Sequence, residues 1–326
     1  MLRIFGYWII IASDSLVWYV CQATFTDVSF RDTNKIVLER KRMLTTLKEV
    51  LADAKKNRYA VPAFDCVEDV MVRTILETCQ RLHSPVVLMG LIGPDLDGNG
   101  WKYIPGLIKA VADFHDIPVV LGLDHAKDLE SIQKGIELGF TSVMIDGSSL
   151  PFAENIDITR TVVGMAHPKG ISVEGELGFM GGSDLLATEH VESVLTEPDE
   201  VERFVEKTGV DALAVSIGTS HGVYRSLPDL DIEKLKEIDR VSSIPLVLHG
   251  GSGTPDEQIQ DAVKNGICKL NIYADCRIAM AKGLVGSAML MTRKDPPVQK
   301  LFGPIKKELA KVVEQKIRLL YANNRV

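Results

Sequence analysis

PLVLHGGSG, residues 245–253, joins a buried-strand run to an abrupt polar end. Pro245 to Leu248 are apolar without alternation, the pattern of a strand covered on both faces. His249 follows. Gly250, Gly251, Ser252 and Gly253 then lead into PDEQIQDAVKNG (255–266), a helical pattern that opens on Pro and Asp and closes on Gly. A strand that carries a histidine to its tip and turns through glycine into a helix is one unit of a β/α fold.

The rest of the chain repeats that unit. Strand-like runs are AVPAFD (60–65), PVVLMG (85–90), PVVLGLDH (118–125), SVMIDGS (142–148), SVEGELG (172–178), ALAVSIG (212–218), PLVLHG (245–250) and KLNIYA (269–274). Helical patterns fall between them: VEDVMVRTILETCQRL (67–82), DLESIQKGIELG (128–139), NIDITRTVVGMAH (155–167), PDEVERFVEKTG (198–209) and DIEKLKEIDRV (231–241). Eight strands alternating with helices predict an α/β chain folded as a TIM (β/α)8 barrel, with a doubly wound open sheet as the alternative. Two longer connections stand apart, 179–197 after the fifth strand and the helical tail 295–322. In the tail, PIKKELAKVVEQKIRLLYA (304–322) has an apolar stripe that suits either an interface or a cover for the barrel.

Composition narrows the function classes. Of 326 residues, 46% are apolar, enough for a core that needs no disulfide staples. The net charge is −7, without a run of five or six Lys/Arg, which argues against nucleic acid and anionic membranes as partners. Cys21, Cys66, Cys79, Cys268 and Cys276 form no CxxC pair, and an odd, scattered set fits a reducing cytoplasm.

The N-terminus differs from the rest. Ile4 to Ala12 and Leu16 to Cys21 are apolar, but Ser13, Asp14 and Ser15 divide them, too short and too polar for a membrane helix. Arg3 precedes a run like a signal-peptide core, yet the small-x-small cleavage pattern is weak. Residues 1–42 are therefore expected to lie outside the catalytic fold, as an upstream extension of the reading frame that is not part of the native protein. Residues 43–326 are expected to form the barrel, opening on MLTTLKEVLADAKKNRYAVPAFD (43–65).

Catalytic groups of such a barrel gather at the C-terminal ends of its strands. The third strand ends in Asp124-His125, the fourth in Asp146, and the fifth carries Glu174 and Glu176. The sixth runs into IGTSHG with His221, the seventh ends in His249, and the eighth holds Lys269 and Asn271. A lone histidine at a strand end is ordinarily structural. Three from different strands of one barrel mouth match the three-ligand, open-position arrangement of catalytic zinc, a Lewis acid for a substrate carbonyl. His83, His115, His167 and His190 fall in helices or loops and read as surface residues. Asp124, Asp146 and Glu176 interrupt apolar strands, where a carboxylate needs a partner. Hydrogen bonding within the barrel, or pairing with Lys269, is the plain explanation, and metal ligation or proton transfer the functional one. Glu174 shares a strand face with Glu176 and reads as a support behind the metal-binding groups. The GGSG turn (250–253), and Gly222 after His221, allow close backbone approach, and a glycine turn feeding a helix suits an anion such as phosphate.

LDHA (123–126), GFTSVMIDGS (139–148), NIDITRTVVGMAHPKGISVEGELGFMGG (155–182), GVDALAVSIGTSHGVY (209–224), PLVLHGGSG (245–253) and GICKLNIYADCR (266–277) together resemble the class II, metal-dependent ketose-bisphosphate aldolases, which include fructose- and tagatose-bisphosphate aldolases. The resemblance runs from about Met43 to the C-terminus. It implies reversible cleavage of a phosphorylated ketose to dihydroxyacetone phosphate, or a close analogue, and an aldehyde through a zinc-stabilised enediolate. It implies His125, His221 and His249 as zinc ligands, with Asp146 and Glu176 at a second cation or an alternative place of the zinc. Asp124 would be the acid/base at the aldehyde oxygen, and Asp184 the loop base. Gly222, Gly250, Gly251, Ser252, Asn271, Ile272, Tyr273 and Ala274 would surround the substrate. A cytoplasmic homo-oligomer of carbohydrate metabolism, dimer or tetramer, and a role in glycolysis follow from the same resemblance.

This chain departs from the family pattern at several positions. Gly122 stands where HLDH is usual, Asp65 replaces the asparagine of AFN, and Ser183-Asp184-Leu185 replaces x-Glu-Asp. Ala274 replaces a threonine that commonly contacts phosphate, and Tyr273 brings a ring beside it. One lost charge-assisted hydrogen bond weakens anion binding by about 1.5–3 kcal/mol. Three expectations therefore stand beside the plain aldolase: a paralogue acting on a differently charged ketose, a zinc lyase whose substrate lacks the second phosphate, and a non-catalytic zinc/sugar-phosphate binding protein.

Overall fold

The computed structural model describes residues 2–4, 7–9, 43–93, 96–179, 193–219 and 228–326. The chain divides into two units, Met1–Lys41 and Arg42–Val326. In the first, Leu2–Ile4 and Tyr7–Ile9 pair antiparallel, with Leu2 opposite Ile9.

The second unit is a closed parallel barrel. Its strands are β1 (Val61–Asp65), β2 (Val86–Leu91), β3 (Val119–Ala126), β4 (Ser142–Ile145), β5 (Ser172–Leu177), β6 (Ala212–Val215), β7 (Leu246–Leu248) and β8 (Ile267–Ile272). Each pairs in parallel with the next, and β8 returns to β1 with Lys269 opposite Val61 and Ile272 opposite Phe64. The open-sheet alternative falls with that closure. Every strand residue except His125 is buried, because side chains facing inward fill the barrel and those facing outward meet helices.

The helices are α1 (Leu47–Asn57), α2 (Asp69–Arg81), α3 (Gly100–Val111), α4 (Leu129–Glu137), α5 (Phe152–Ala166), α6 (Pro198–Thr208), α7 (Ile232–Val241), α8 (Asp256–Lys264), α9 (Ala274–Leu290) and α10 (Val298–Leu319). α1 shows why they form. The Thr46 hydroxyl accepts from the Glu49 N–H and the Glu49 carboxylate accepts from the Thr46 N–H, a reciprocal cap. Leu47, Val50, Leu51 and Ala54 then recur at helical spacing on the buried side. The Lys48 N–H donates to Ser172 Oγ, which ties α1 to the N-terminal end of β5.

α10 buries Ile305, Leu309, Val313 and Ile317 and packs on α2 and α9. The tail's apolar stripe therefore packs on the chain's own barrel. The crossing with α9 is tight, since a Cβ on Gly283 would run into the backbone of Ile305. Three strands are shorter than their apolar runs. β4 stops at Ile145, β6 at Val215 and β7 at Leu248, so Asp146 and His249 stand just beyond the ladder, free of the strict alternation of strand side chains. No helix of the described residues is long and apolar enough to cross a membrane.

Candidate active site

The end of β3 carries the decisive local distortion. Successive strand side chains point to opposite faces, so Asp124 and His125 could not both enter one pocket from a regular strand. The β3–β4 register slips between Leu123 and Ala126, and His125 adopts φ +51°. This bulge re-aims the pair so that both residues line the same pocket. Left-handed backbone costs a non-glycine residue about 1–2 kcal/mol and is found where function over-determines it.

Two imidazoles meet at the barrel mouth. His125 Nε2 lies 3.1 Å from His249 Nδ1, with the rings edge to face at 82°. Carboxylates surround them. Asp146 Oδ2 is 3.3 Å from His125 Nδ1, and Asp124 Oδ2 is 3.8 Å from His125 Nε2. Glu176 Oε2 is 3.9 Å from His249 Nδ1 and 4.0 Å from His125 Nδ1, and this buried oxygen has no hydrogen-bond partner among the described residues. Potential donor atoms thus form two overlapping clusters, Asp124/His125/His249 and His125/Asp146/Glu176, each within 4.8 Å.

Behind them, Glu174 accepts from His249 Nε2 at 2.9 Å and from Lys269 Nζ at 2.8 Å. All three residues are buried. With its Nε2 proton held by Glu174, His249 presents the Nδ1 lone pair to the cluster. Lys269 therefore partners Glu174 and none of Asp124, Asp146 or Glu176, while hydrogen bonding within the barrel does hold Asp124, through Asn271 Nδ2, and Asp146, through Ser148.

The electrostatics follow from burial and crowding. Burial alone would depress His125, but Asp124, Asp146 and Glu176 overcome it and push the imidazole up to about 10. Burial and the charge of Asp146 raise Glu176 to about 8. Burial would also raise Glu174, yet Lys269 and His249 hold it at about 2. Burial keeps His249 low, hence neutral and able to ligate. A concentrated negative field around imidazole nitrogens suits a divalent cation. The donor set, two nitrogens with buried carboxylates, suits a divalent metal bound by imidazole and carboxylate.

Beside the clusters lies a small pocket lined by Asp65, Asp124, His125, Gly250, Gly251, Ser252, Asn271, Ile272 and Tyr273. Asn271 Nδ2 donates to Asp124 Oδ1 at 3.1 Å. Ser252 Oγ accepts the N–H groups of Tyr273 and Asp275, each at 3.2 Å. The Arg277 guanidinium lies 5.3 Å from the Tyr273 ring centre. Ala274, buried at the start of α9, is not among the lining residues. His221, Gly222 and Asp184 lie outside the described residues. The left-handed His125 is invisible to residue type, and the Glu174–Lys269 pair spans the barrel, so neither is legible in the sequence.

A barrel of this closure brings imidazoles and carboxylates together at the C-terminal end of its strands, a site that could hold a metal ion. The family described as fructose-bisphosphate aldolase class-II matches residues 45–325, and the chain belongs to it. The crystal structure of the YdjI aldolase from Escherichia coli K12 superposes with a TM-score of 0.77 at 30% identity, covering 86% of this chain and 99% of that one. The fructose-bisphosphate aldolase of Campylobacter jejuni superposes with a TM-score of 0.74 at 24% identity, covering 87% and 97%, a likeness of fold. Members of the family are typically metal-dependent, in keeping with the donor clusters.

Proposed function

We propose that this protein is a metal-dependent aldolase that reversibly cleaves a phosphorylated ketose into dihydroxyacetone phosphate, or a close analogue, and an aldehyde. The observation that carries the reading is the pair of imidazole nitrogens 3.1 Å apart, ringed by buried carboxylates, next to a glycine-lined pocket. His125, His249 and His221 would hold the cation, zinc by its donors, and Asp146 and Glu176 would serve a second cation or an alternative place. A cation there would act as a Lewis acid on the ketone and counter the negative charge left as the C–C bond breaks.

The chain's own residues would do the rest. Asp124 would move a proton at the hydroxyl of the aldehyde half. Asn271 holds its Oδ1, which leaves Oδ2 on the imidazole side. Glu174 would keep His249 in its ligating tautomer. Asp184 is proposed as the base on the dihydroxyacetone phosphate carbon. Gly222, Gly250, Gly251, Ser252, Asn271, Ile272, Tyr273 and Ala274 would surround the substrate.

A differently charged ketose is the second reading, favoured by Tyr273, which is among the residues lining the pocket. Cleavage assays on a panel of ketose mono- and bisphosphates, using the chain from Met43, separate the two. The aldolase reading expects cleavage of at least one substrate, and the second reading expects a substrate other than fructose 1,6-bisphosphate. Absence of cleavage across the panel, with zinc bound, would leave a binding protein instead. Activity of the Met43 chain equal to that of the full chain is expected if residues 1–42 are an extension outside the catalytic fold; its loss would contradict that boundary.

We further propose a cytoplasmic homo-oligomer. Cys66, Cys79, Cys268 and Cys276 are buried thiols, in keeping with a reducing compartment. α9 buries Ala279, Gly283 and Ser287 yet exposes Ile278, Leu284, Val285 and Met289, apolar on both sides as in a helix that is covered twice. A monomeric mass in solution would contradict the oligomer.

A further inference from the structure

Lys316 stands near the end of α10, on the side that carries Leu309, Val313 and Ile317 into the core. Its side chain is 6% exposed. A lysine so deeply buried needs partners for its charge. Nζ lies 2.7 Å from Asp275 Oδ2, in the first turn of α9, and donates to the Gly251 carbonyl at 3.1 Å. The C-terminal helix is thereby tied to the turns after β7 and β8 at once.

The direction of that tie matters. In a trans peptide, the C=O of one residue and the N–H of the next point opposite ways. Holding the Gly251 carbonyl on Lys316 therefore turns the Ser252 N–H away from the lysine. Gly250, Gly251 and Ser252 line the pocket and Lys316 does not, so the lysine acts from behind the turn. The Gly251 N–H is held as well, donating to the Asn271 carbonyl at 3.1 Å. The turn has no slack, since a Cβ on Gly251 would lie 2.5 Å from Leu270 Cγ. The Ser252 hydroxyl accepts two amides, which occupies its lone pairs and leaves its proton to donate.

We propose that Lys316 is the positioning residue of the phosphate-facing turn, fixing the Gly251–Ser252 peptide from behind so that Ser252 meets the phosphoryl group of the substrate. The inference rests on the reading of the substrate as a phosphorylated ketose. The test is calorimetric binding of inorganic phosphate to the zinc-loaded full chain, alongside steady-state kinetics on the substrate that the panel identifies. Lys316→Met weakens phosphate binding and raises KM by at least about tenfold, the loss expected for one charge-assisted interaction, while kcat and zinc affinity hold. Lys316→Met alone orphans the Asp275 carboxylate. The double variant Lys316→Met/Asp275→Asn leaves no buried charge alone and shows the same loss. Phosphate affinity and KM unchanged in both variants, beside a wild type that binds phosphate, overturn the role of Lys316 alone. A wild type that neither binds phosphate nor cleaves any ketose phosphate overturns the substrate reading, and this inference with it.

Discussion

Replacing His249 by alanine is expected to remove metal binding and slow aldol cleavage by at least about a thousandfold, with the barrel still folded. Lewis-acid stabilisation of developing charge is worth several kcal/mol, and about 4 kcal/mol corresponds to that factor. Folding should survive for a specific reason. His249 stands past the end of β7, and the strand residues Leu246, Val247 and Leu248 keep their packing. Glu174 loses one donor but keeps Lys269 at 2.8 Å, so no buried charge is stranded. The remaining cost is a cavity, about 2–3 kcal/mol. Metal content, circular dichroism and turnover of the variant check all three statements. Full activity in His249→Ala would contradict the site.

Asp124→Asn is expected to lower kcat by about 10²–10⁴, the range for loss of a general acid/base, while the metal stays bound. Asparagine keeps an oxygen for Asn271 Nδ2, so the local hydrogen bond persists. The variant also separates two roles. Asp124 lies in one of the donor clusters with His125 and His249. Loss of metal together with activity would make it a ligand and not the proton carrier, and activity within a factor of a few of wild type would exclude both.

The barrel was legible because its strands are covered on both faces, so their apolar residues run nearly unbroken between capped helices. Thr46 with Glu49, and Pro198 opening α6 before Gly209, are such caps. α3 escaped notice because Pro105 and Gly106 interrupt its pattern, although its first-turn and core residues Trp101, Ile104 and Ile108 keep helical spacing. The polar strand tips were legible as exceptions to the apolar rule. Their mutual geometry was not, since the left-handed His125 belongs to the backbone and leaves no trace in residue type. The pairing of Glu174 with Lys269 joins β5 to β8 across the barrel, a separation that no local pattern encodes. Lys316 did leave a signal, a lysine set among Leu309, Val313 and Ile317 on an apolar helix face. It could have been read as a buried charge in need of a partner, though Gly251 and Asp275 could not have been named as its partners.

A bound divalent cation is expected to be required for carbon–carbon cleavage. The measurement is the rate of cleavage of the best ketose phosphate after the cation is stripped with a chelator, and again after zinc is restored. Activity is expected to be lost on stripping and to return with zinc, in proportion to the metal bound. Unchanged cleavage by metal-free protein would contradict that requirement.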